Sequence, residues 1–183
     1  MRPSFYLAAA ALLALAGCAS VAPDAAPAVS VINSLTYDNA ISGQRDGERT
    51  AWPLAGLARS SEPFPMAQVK QCDADGAHCS WGVMKAQRSF GKVALVPGGV
   101  SVELEVAVEV DRSLRNKNSE QDTTMTIPAN VGALQAKRVQ KRSMVLEFGK
   151  VTRIDFNYGI SYEVCAQRQA LDQCALSAFY EHQ

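Results

Sequence analysis

The sequence is poor in histidine and has no excess of charge of either sign. Its 183 residues contain two histidines, and 18 Lys and Arg residues balance 18 Asp and Glu residues. A zero net charge argues against a broad surface that binds nucleic acid, because such a surface needs many clustered cations. His78 lies in a turn-rich segment and His182 beside the C-terminus, so neither suits a base held in a cleft. With no G-x-S-x-G motif either, we expect a protein that is not an enzyme, with no catalytic residue, metal or cofactor.

Long apolar runs are absent as well. The longest, Phe5 to Ala16, has 12 residues, whereas a membrane-spanning helix needs about 20. After the positive start Met1-Arg2, this run is typical of the apolar region of an export signal. It leads into Leu15-Ala16-Gly17-Cys18, which resembles the lipobox of bacterial lipoproteins: an aliphatic residue, two small residues and a cysteine. The resemblance implies cleavage before Cys18 and a lipid, such as palmitate with diacylglycerol, bound covalently to that residue.

The residues after the lipobox indicate where the protein is held. In lipoproteins of enteric-type bacteria, Asp after the cysteine tends to retain the protein at the inner membrane. Here that position is Ala19, so the resemblance implies the outer membrane, with the protein facing the periplasm. Residues 19–28 are rich in alanine and proline and predict an extended tether. The predicted organisation is a signal peptide at 1–17, a lipidated cysteine and tether at 18–28, and one domain at 29–183.

Cysteine is sparse, and its count is odd. Of the five cysteines, Cys18 is assigned to the lipid, which leaves four for the folded part: Cys72, Cys79, Cys165 and Cys174. An oxidising compartment makes two disulfides the default, and three pairings are possible. We favour Cys72–Cys79, which would clamp a hairpin loop, and Cys165–Cys174. The second pairing requires residues 166–173 to turn back, because a helix would hold the two Cα atoms about 13 Å apart. A short C-terminal helix could then start only near Cys174.

The dominant pattern in the folded part is an alternation of apolar and polar residues. Even-numbered residues from 100 to 110 are apolar, and the pattern returns from 154 to 164. Such alternation predicts half-buried strands. Further strands are predicted at 29–37, 66–72, 79–87, 123–127 and 136–148, while 49–66 is predicted to be an irregular loop. About eight strands without βαβ alternation predict an all-β domain, mainly antiparallel, either a sandwich or a small barrel.

Two glycine-containing turns predict strand pairing. A hairpin turn at Gly98-Gly99 would place Leu95 opposite Val102 and Lys92 opposite Glu105. A second hairpin is predicted at Gly149-Lys150. Its apolar residues lie opposite one another only if the loop has an odd number of residues or the strands contain a bulge. In that register Leu146 would lie opposite Ile154.

Three groups of residues are candidates for a binding surface. Trp52 and Phe64 lie in the segment predicted to be irregular, where large aromatic side chains suit an exposed contact. The clamped loop adds Asp73, Asp75 and His78. Its Asp-Gly pair resembles the start of a calcium loop, but the remaining ligands are missing and a tight turn explains it. The third group is four cations within six residues: Lys137, Arg138, Lys141 and Arg142.

The cationic group has two interpretations. It could bind an anionic partner, or it could lie opposite the acidic face formed by Glu103, Glu105 and Glu109. We interpret these glutamates as a solvated strand face, because a catalytic carboxylate needs a pocket that raises its pKa.

These observations support three hypotheses about function. The first is a non-catalytic binding or assembly module of the cell envelope, held by its lipid and contacting another envelope protein. The second is a periplasmic inhibitor or immunity protein against a lytic enzyme, with loop 73–78 entering the enzyme's cleft. The third, a hydrolase, has no set of residues to support it. No partner is expected to be a nucleic acid.

Overall fold

Two sheets packed face to face form the folded part of the protein. The computed structural model describes residues 28–57, 61–117, 122–169 and 171–178. The predicted signal peptide, Cys18, most of the tether and His182 lie outside these residues. Strands dominate the described residues, and the predicted all-β, mainly antiparallel domain is confirmed. Of the two architectures left open by the sequence, a sandwich or a small barrel, the described residues form the sandwich.

The elements follow one another with short connections. In chain order they are β1 (Val29–Asp38), β2 (Arg45–Pro53), α1 (Leu54–Leu57), β3 (Ser61–Pro63), β4 (Ala67–Cys72), β5 (Cys79–Val96), β6 (Gly99–Asp111), β7 (Ser113–Lys117), β8 (Asp122–Thr126), β9 (Gly132–Ala133), β10 (Ala136–Glu147), β11 (Thr152–Asp155) and β12 (Ser161–Arg168). Segment 49–66, predicted to be an irregular loop, therefore holds much of β2, the short helix and β3.

The strands assort into two main sheets. The four-stranded sheet has the order β11-β12-β1-β2. The six-stranded sheet has the order β10-β6-β5-β3, and β4 and β9 also pair with the long strand β5. Strands β7 and β8 form a separate hairpin. Between the named strands, all described pairings are antiparallel except that of β5 with β9.

Strand β6 lies in the middle of the larger sheet and carries the clearest pattern. All six apolar residues at even positions from Val100 to Val110 are buried, and the odd positions between them are half-buried. They pack against apolar side chains of the four-stranded sheet, including Val31, Leu35 and Val164, in one continuous core. The alternation in the sequence therefore predicted correctly which face of β6 is covered.

The hairpin between β5 and β6 forms, but its predicted register is wrong. The turn is at Pro97-Gly98, where Gly98 has a φ of 82°, and Leu95 lies opposite Val100. Gly99 already belongs to β6, where a Cβ would overlap the Leu146 carbonyl of the neighbouring strand. The second glycine is therefore needed for close approach of two strands rather than for the turn.

A bulge changes the pairing again further along the hairpin. The register shifts between Gly91 and Ala94, and Lys92 within it has a φ of 46°. As a result the Lys92 Nζ lies 2.7 Å from Oε1 of Glu103, and not opposite Glu105 as predicted.

The predicted hairpin at Gly149-Lys150 is wrong, because the chain changes sheets there. Leu146 in β10 lies opposite Val100, and Ile154 in β11 lies opposite Tyr162. The Gly149 N–H donates to the Ala166 carbonyl at 2.8 Å, which ties the crossing segment to the four-stranded sheet. Both residues of the proposed apolar pair are buried, but each faces the core from its own sheet.

The predicted strand at 154–164 is two strands joined by a turn. Tyr158 and Gly159 have φ values of 62° and 68°, and the Phe156 N–H donates to the Ile160 carbonyl at 2.8 Å. Apolar residues continue to alternate through the turn because β11 and β12 face the same core. The turn is anchored by the Tyr158 hydroxyl, which donates to the Gln135 carbonyl at 2.7 Å.

Both predicted disulfides are present. Cys72–Cys79 joins the facing ends of β4 and β5, with Cα atoms 4.0 Å apart, and Cys165–Cys174 spans 6.0 Å. The second bond holds the chain after β12 against the four-stranded sheet, where Ser177 donates through its N–H and its hydroxyl to Glu163. Residues 172–178 contain no helix, so the helix predicted to start near Cys174 does not form there.

A test of the packing uses Gly82 in β5. A Cβ at this position would overlap a methyl group of Val110 and lie 3.2 Å from the Leu134 Cβ. We expect Gly82→Ala to lower the free energy of unfolding by about 1–3 kcal/mol, measured by urea denaturation, because the core is overpacked. Gly91→Ala is the matched control in the same strand, since its nearest contact would be an ordinary 3.6 Å. A Gly82→Ala protein as stable as the Gly91→Ala protein would contradict this packing.

Candidate functional site

A charged side chain lies inside the sandwich. Arg88 points inward from β5, and 1% of its surface is exposed. Its guanidinium carbon is 4.4 Å from the centre of the Trp52 ring and 4.2 Å from the centre of the Phe64 ring. Aromatic faces attract cations, and this attraction is stronger where water is excluded. The two rings therefore provide much of the environment that keeps a charge in the core.

Polar groups complete the surroundings of Arg88. Its Nη2 donates to Oε2 of Glu62 at 2.8 Å and to the Thr50 hydroxyl at 3.1 Å. The Nε and Nη1 atoms are buried and have no hydrogen-bond partner among the described residues. Burial lowers the pKa of Arg88, while Tyr162, Glu62 and Glu48 act in the opposite direction. An arginine nevertheless stays protonated in proteins, so the core holds a permanent positive charge.

The predicted exposure of Trp52 and Phe64 is wrong. Phe64 is buried and Trp52 is partly buried, and each makes an edge-to-face contact with a further core ring. The signal for this arrangement lies in β5 rather than in 49–66. Ala86, Arg88 and Phe90 occupy every second position of β5 and share its inward face. A buried arginine there needs aromatic and acidic side chains around it in place of water.

A cavity opens next to Phe64. Its volume is about 760 Å³, within the range typical of small-molecule sites. Residues of β1, β2 and the segment after β3 line it: Ile32, Leu35, Tyr37, Asp46, Gly47, Glu48, Arg49, Ala51, Phe64 and Pro65. We call it the β1–β2 cavity. Apart from Phe64, sequence analysis missed these residues, because the sequence does not indicate that β1 and β2 are neighbours.

The walls of the β1–β2 cavity carry a concentration of negative charge. Asp46 is buried and accepts a hydrogen bond from Asn39 Nδ2 at 2.8 Å. Burial raises the pKa of Glu48, Arg88 opposes that shift, and Glu62 adds to it. Burial, Asp46 and Glu48, in that order, raise the pKa of Tyr37 to about 12. Both groups therefore hold a proton more tightly than in water, mainly because they are buried, and the neighbouring carboxylates add to this effect.

Among the described residues that line the cavity, the cation is Arg49. Arg49 is exposed, and its Nη2 donates to the Ser177 carbonyl at 3.2 Å. It thus reaches toward the C-terminal segment on the outer side of the four-stranded sheet.

The clamped loop 73–78 is an exposed turn, held by the disulfide at its ends and by hydrogen bonds within it. The Asp73 carboxylate accepts from the His78 N–H at 3.0 Å and lies 2.9 Å from His78 Nδ1, and Asp75 accepts from the Ala77 N–H at 2.9 Å. The backbone hydrogen bond from His78 is the main reason that the pKa of Asp73 is lowered. These carboxylates stabilise the turn itself. Within the described residues, no group of His, Cys, Asp and Glu side chains is placed to hold a metal ion.

The four cations of β10 are divided between its two faces, as strand alternation requires. Lys137 Nζ lies 3.5 Å from Oε1 of Glu109, and Lys141 Nζ lies 3.4 Å from Oε2 of Glu105. Both lysines are therefore on the acidic face of β6. Lys92 contacts Glu103 on the same face. Arg138 and Arg142 lie on the other face and are exposed. The structure therefore gives the two lysines the second predicted role, opposite the acidic strand.

Comparisons with known proteins identify no relative: no family model matches, and neither the curated proteins nor the solved structures contain a match. The part of the chain that the structure describes contains no helix long and apolar enough to cross a membrane.

The raised pKa of Glu48 predicts a dependence of stability on pH. Because the carboxyl binds its proton more tightly when folded, its ionisation above about pH 4.5 lowers the free energy of unfolding. We expect Glu48→Gln to be more stable than the wild type at pH 7 and to lose this advantage below pH 4, measured by urea denaturation at both pH values. Glu147→Gln, on the exposed end of β10, is the control. An advantage that is the same at both pH values would rule out ionisation as the cause.

Proposed function

We propose that this protein is a lipid-anchored binding module of the bacterial cell envelope. Its ligand would occupy the β1–β2 cavity, and the observation that carries the proposal is the combination found there. A cavity of about 760 Å³ has apolar and aromatic residues in its walls, together with the two carboxylates Asp46 and Glu48. Such a site suits binding, because it can hold an apolar body and orient a charged group at the same time.

The chemistry of the walls favours a cationic ligand with an apolar part. Asp46 and Glu48 project from alternate positions of β2, about 7 Å apart along the strand. Tyr37, opposite Asp46 on β1, offers aromatic surface close to them, and aromatic rings with carboxylates are the usual surroundings of bound ammonium groups. Such a cation would also stabilise the charged form of Glu48, whose pKa is raised mainly by burial and to a smaller extent by Glu62. The ligand class we propose is an amine or quaternary ammonium compound, or a lysine side chain of a partner protein.

Titration with two small probes tests the cavity. We expect benzyltrimethylammonium to bind saturably in isothermal titration calorimetry, and phenylacetate, of similar size and opposite charge, not to bind. Glu48→Gln should weaken binding of the cation about tenfold, because one ionic contact is lost. Glu147→Gln, which lies outside the cavity, should bind as the wild type does. Equal binding of both probes, or none of the cation, would refute the proposal.

The location at the envelope follows from the resemblance of residues 15–18 to a lipobox. A lipid with two or more acyl chains anchors a protein stably, whereas a single chain does so marginally. The same resemblance, through Ala19, favours the outer membrane. Export also accounts for the use of all four remaining cysteines in disulfides.

Substitution of the lipobox cysteine tests the anchor. We expect Cys18→Ala to move the protein from the membrane fraction to the soluble fraction and to abolish incorporation of radiolabelled palmitate, since the acylated thiol is gone. Ser20→Ala, two residues away, should change neither result. A Cys18→Ala protein that still takes up label would place the lipid elsewhere, and unlabelled wild type would disprove lipidation.

A second candidate function is inhibition of a lytic enzyme through loop 73–78. The favouring observation is the shape of the loop, in which every residue is exposed and both ends are held by Cys72–Cys79. A protruding loop held in this way loses little conformational entropy when it enters a cleft. The two candidates differ in what they depend on: an inhibitor would keep its partner after Glu48→Gln, whereas a cavity binder would lose affinity for its ligand.

A further inference from the structure

Strand β10 is an open edge of the six-stranded sheet. It pairs with β6 from Ala136 to Glu147, and no strand of the described residues pairs with its other side. An edge strand carries unpaired backbone N–H and C=O groups and can accept a further strand. Twelve residues is long for such an edge, because a typical strand has five or six.

Residues 137–143 are the most accessible part of β10. From Lys137 to Ser143 every residue except Gln140 is exposed. Towards the other end Leu146 is buried, and Phe148, just beyond the strand, forms a bridge to Ala166 of β12. We call residues 137–143 the β10 edge.

The two faces of the β10 edge differ in charge. On one face Lys137 and Lys141 are partnered by glutamates of β6, and Val139 between them is 53% exposed. On the other face Arg138 and Arg142 are exposed, and neither has a carboxylate within ion-pair distance among the described residues. The arginine face therefore carries two positive charges without counter-charges.

We propose that the β10 edge binds an extended, acidic segment of a partner protein by strand addition. In an added strand, side chains alternate as they do in β10, so the positions opposite Arg138 and Arg142 lie on one face, four residues apart. Acidic residues at those two positions would neutralise the arginine face. On the other face a small apolar residue opposite Val139 would cover its exposed surface. The two arginines thus specify the sign of the charges in the partner strand and the four-residue spacing between its acidic side chains.

A second copy of this chain fits the β10 edge less well. Antiparallel pairing of two such edges, in the register centred on Gln140, would place Arg138 of one copy opposite Arg142 of the other. Like charges directly opposite each other destabilise a strand pair. An acidic segment is favoured for the same electrostatic reason.

The inference rests on the proposed function only in that both describe a binding module of the envelope. The β10 edge and the β1–β2 cavity have no lining residue in common. Binding at one surface can therefore fail while binding at the other is retained.

A synthetic peptide tests the strand addition directly. The probe is a capped heptapeptide, Thr-Glu-Thr-Asn-Val-Glu-Thr, whose glutamates would face the two arginines in antiparallel register. A second peptide has lysine in place of both glutamates. We expect the acidic peptide to bind in fluorescence anisotropy and to slow hydrogen exchange of amides within 137–143, and the lysine peptide to do neither. Protection of another edge, such as β2 or β11, or no binding of the acidic peptide, would overturn the proposal.

Charge reversal separates specific pairing from general attraction. Arg138→Glu with Arg142→Glu should weaken binding of the acidic peptide roughly tenfold or more and create binding of the lysine peptide. Lys70→Glu with Lys117→Glu, in β4 and β7, makes the same change in net charge and should leave the acidic peptide bound. Equal loss in both double variants would overturn strand addition, and so would a wild-type dimer that the peptide does not dissociate. The benzyltrimethylammonium titration, repeated on the arginine variant, reports the proposed function independently.

Discussion

The structure depends on the burial of one guanidinium group. Arg88 occupies an inward position of the longest strand, and its charge can stay there only because the surroundings replace water. Trp52 from β2 and Phe64 from the segment after β3 stack on it, while Glu62 and Thr50 accept its hydrogen bonds. These contacts join the two sheets at this end of the sandwich. They also determine where Phe64 lies, and with it one wall of the β1–β2 cavity.

The same charge shapes the electrostatics of the proposed site. Arg88 lies close to Glu48 and Glu62, and it limits how far the pKa of Glu48 rises. Asp46 extends the negative region along β2, and Tyr37 lies opposite it on β1 as a neutral phenol whose pKa is raised by burial and by Asp46. The β10 edge works on a different principle, because its proposed specificity comes from backbone groups and from two exposed arginines. One fold thus offers an interior site for a small cationic group and an edge for an acidic chain.

Part of the candidate site was accessible from the sequence, and part was not. The cation cluster of β10 and the clamped loop were found because each is local: four cations within six residues, and a turn between two cysteines. Trp52 and Phe64 were identified as aromatic residues of interest, but their predicted exposure was wrong. Their burial depends on Arg88, which is 36 and 24 residues away in the chain. Asp46, Glu48 and Tyr37 were missed because a cavity is formed by strands whose pairing no local pattern reveals.

Local pattern by itself determined the all-β class and the buried face of β6, and loop length favoured the disulfide pairing that the structure contains. Alternation predicts burial wherever one sheet face is covered, and a short loop restricts which cysteines can meet. Tertiary structure decided the register after the bulge at Lys92, the crossing of the chain between sheets at Gly149, and the division of 154–164 into two strands. In each of these cases several arrangements bury the same apolar residues. Only the packing of one sheet on the other distinguishes among them, and that packing is a property of the whole chain.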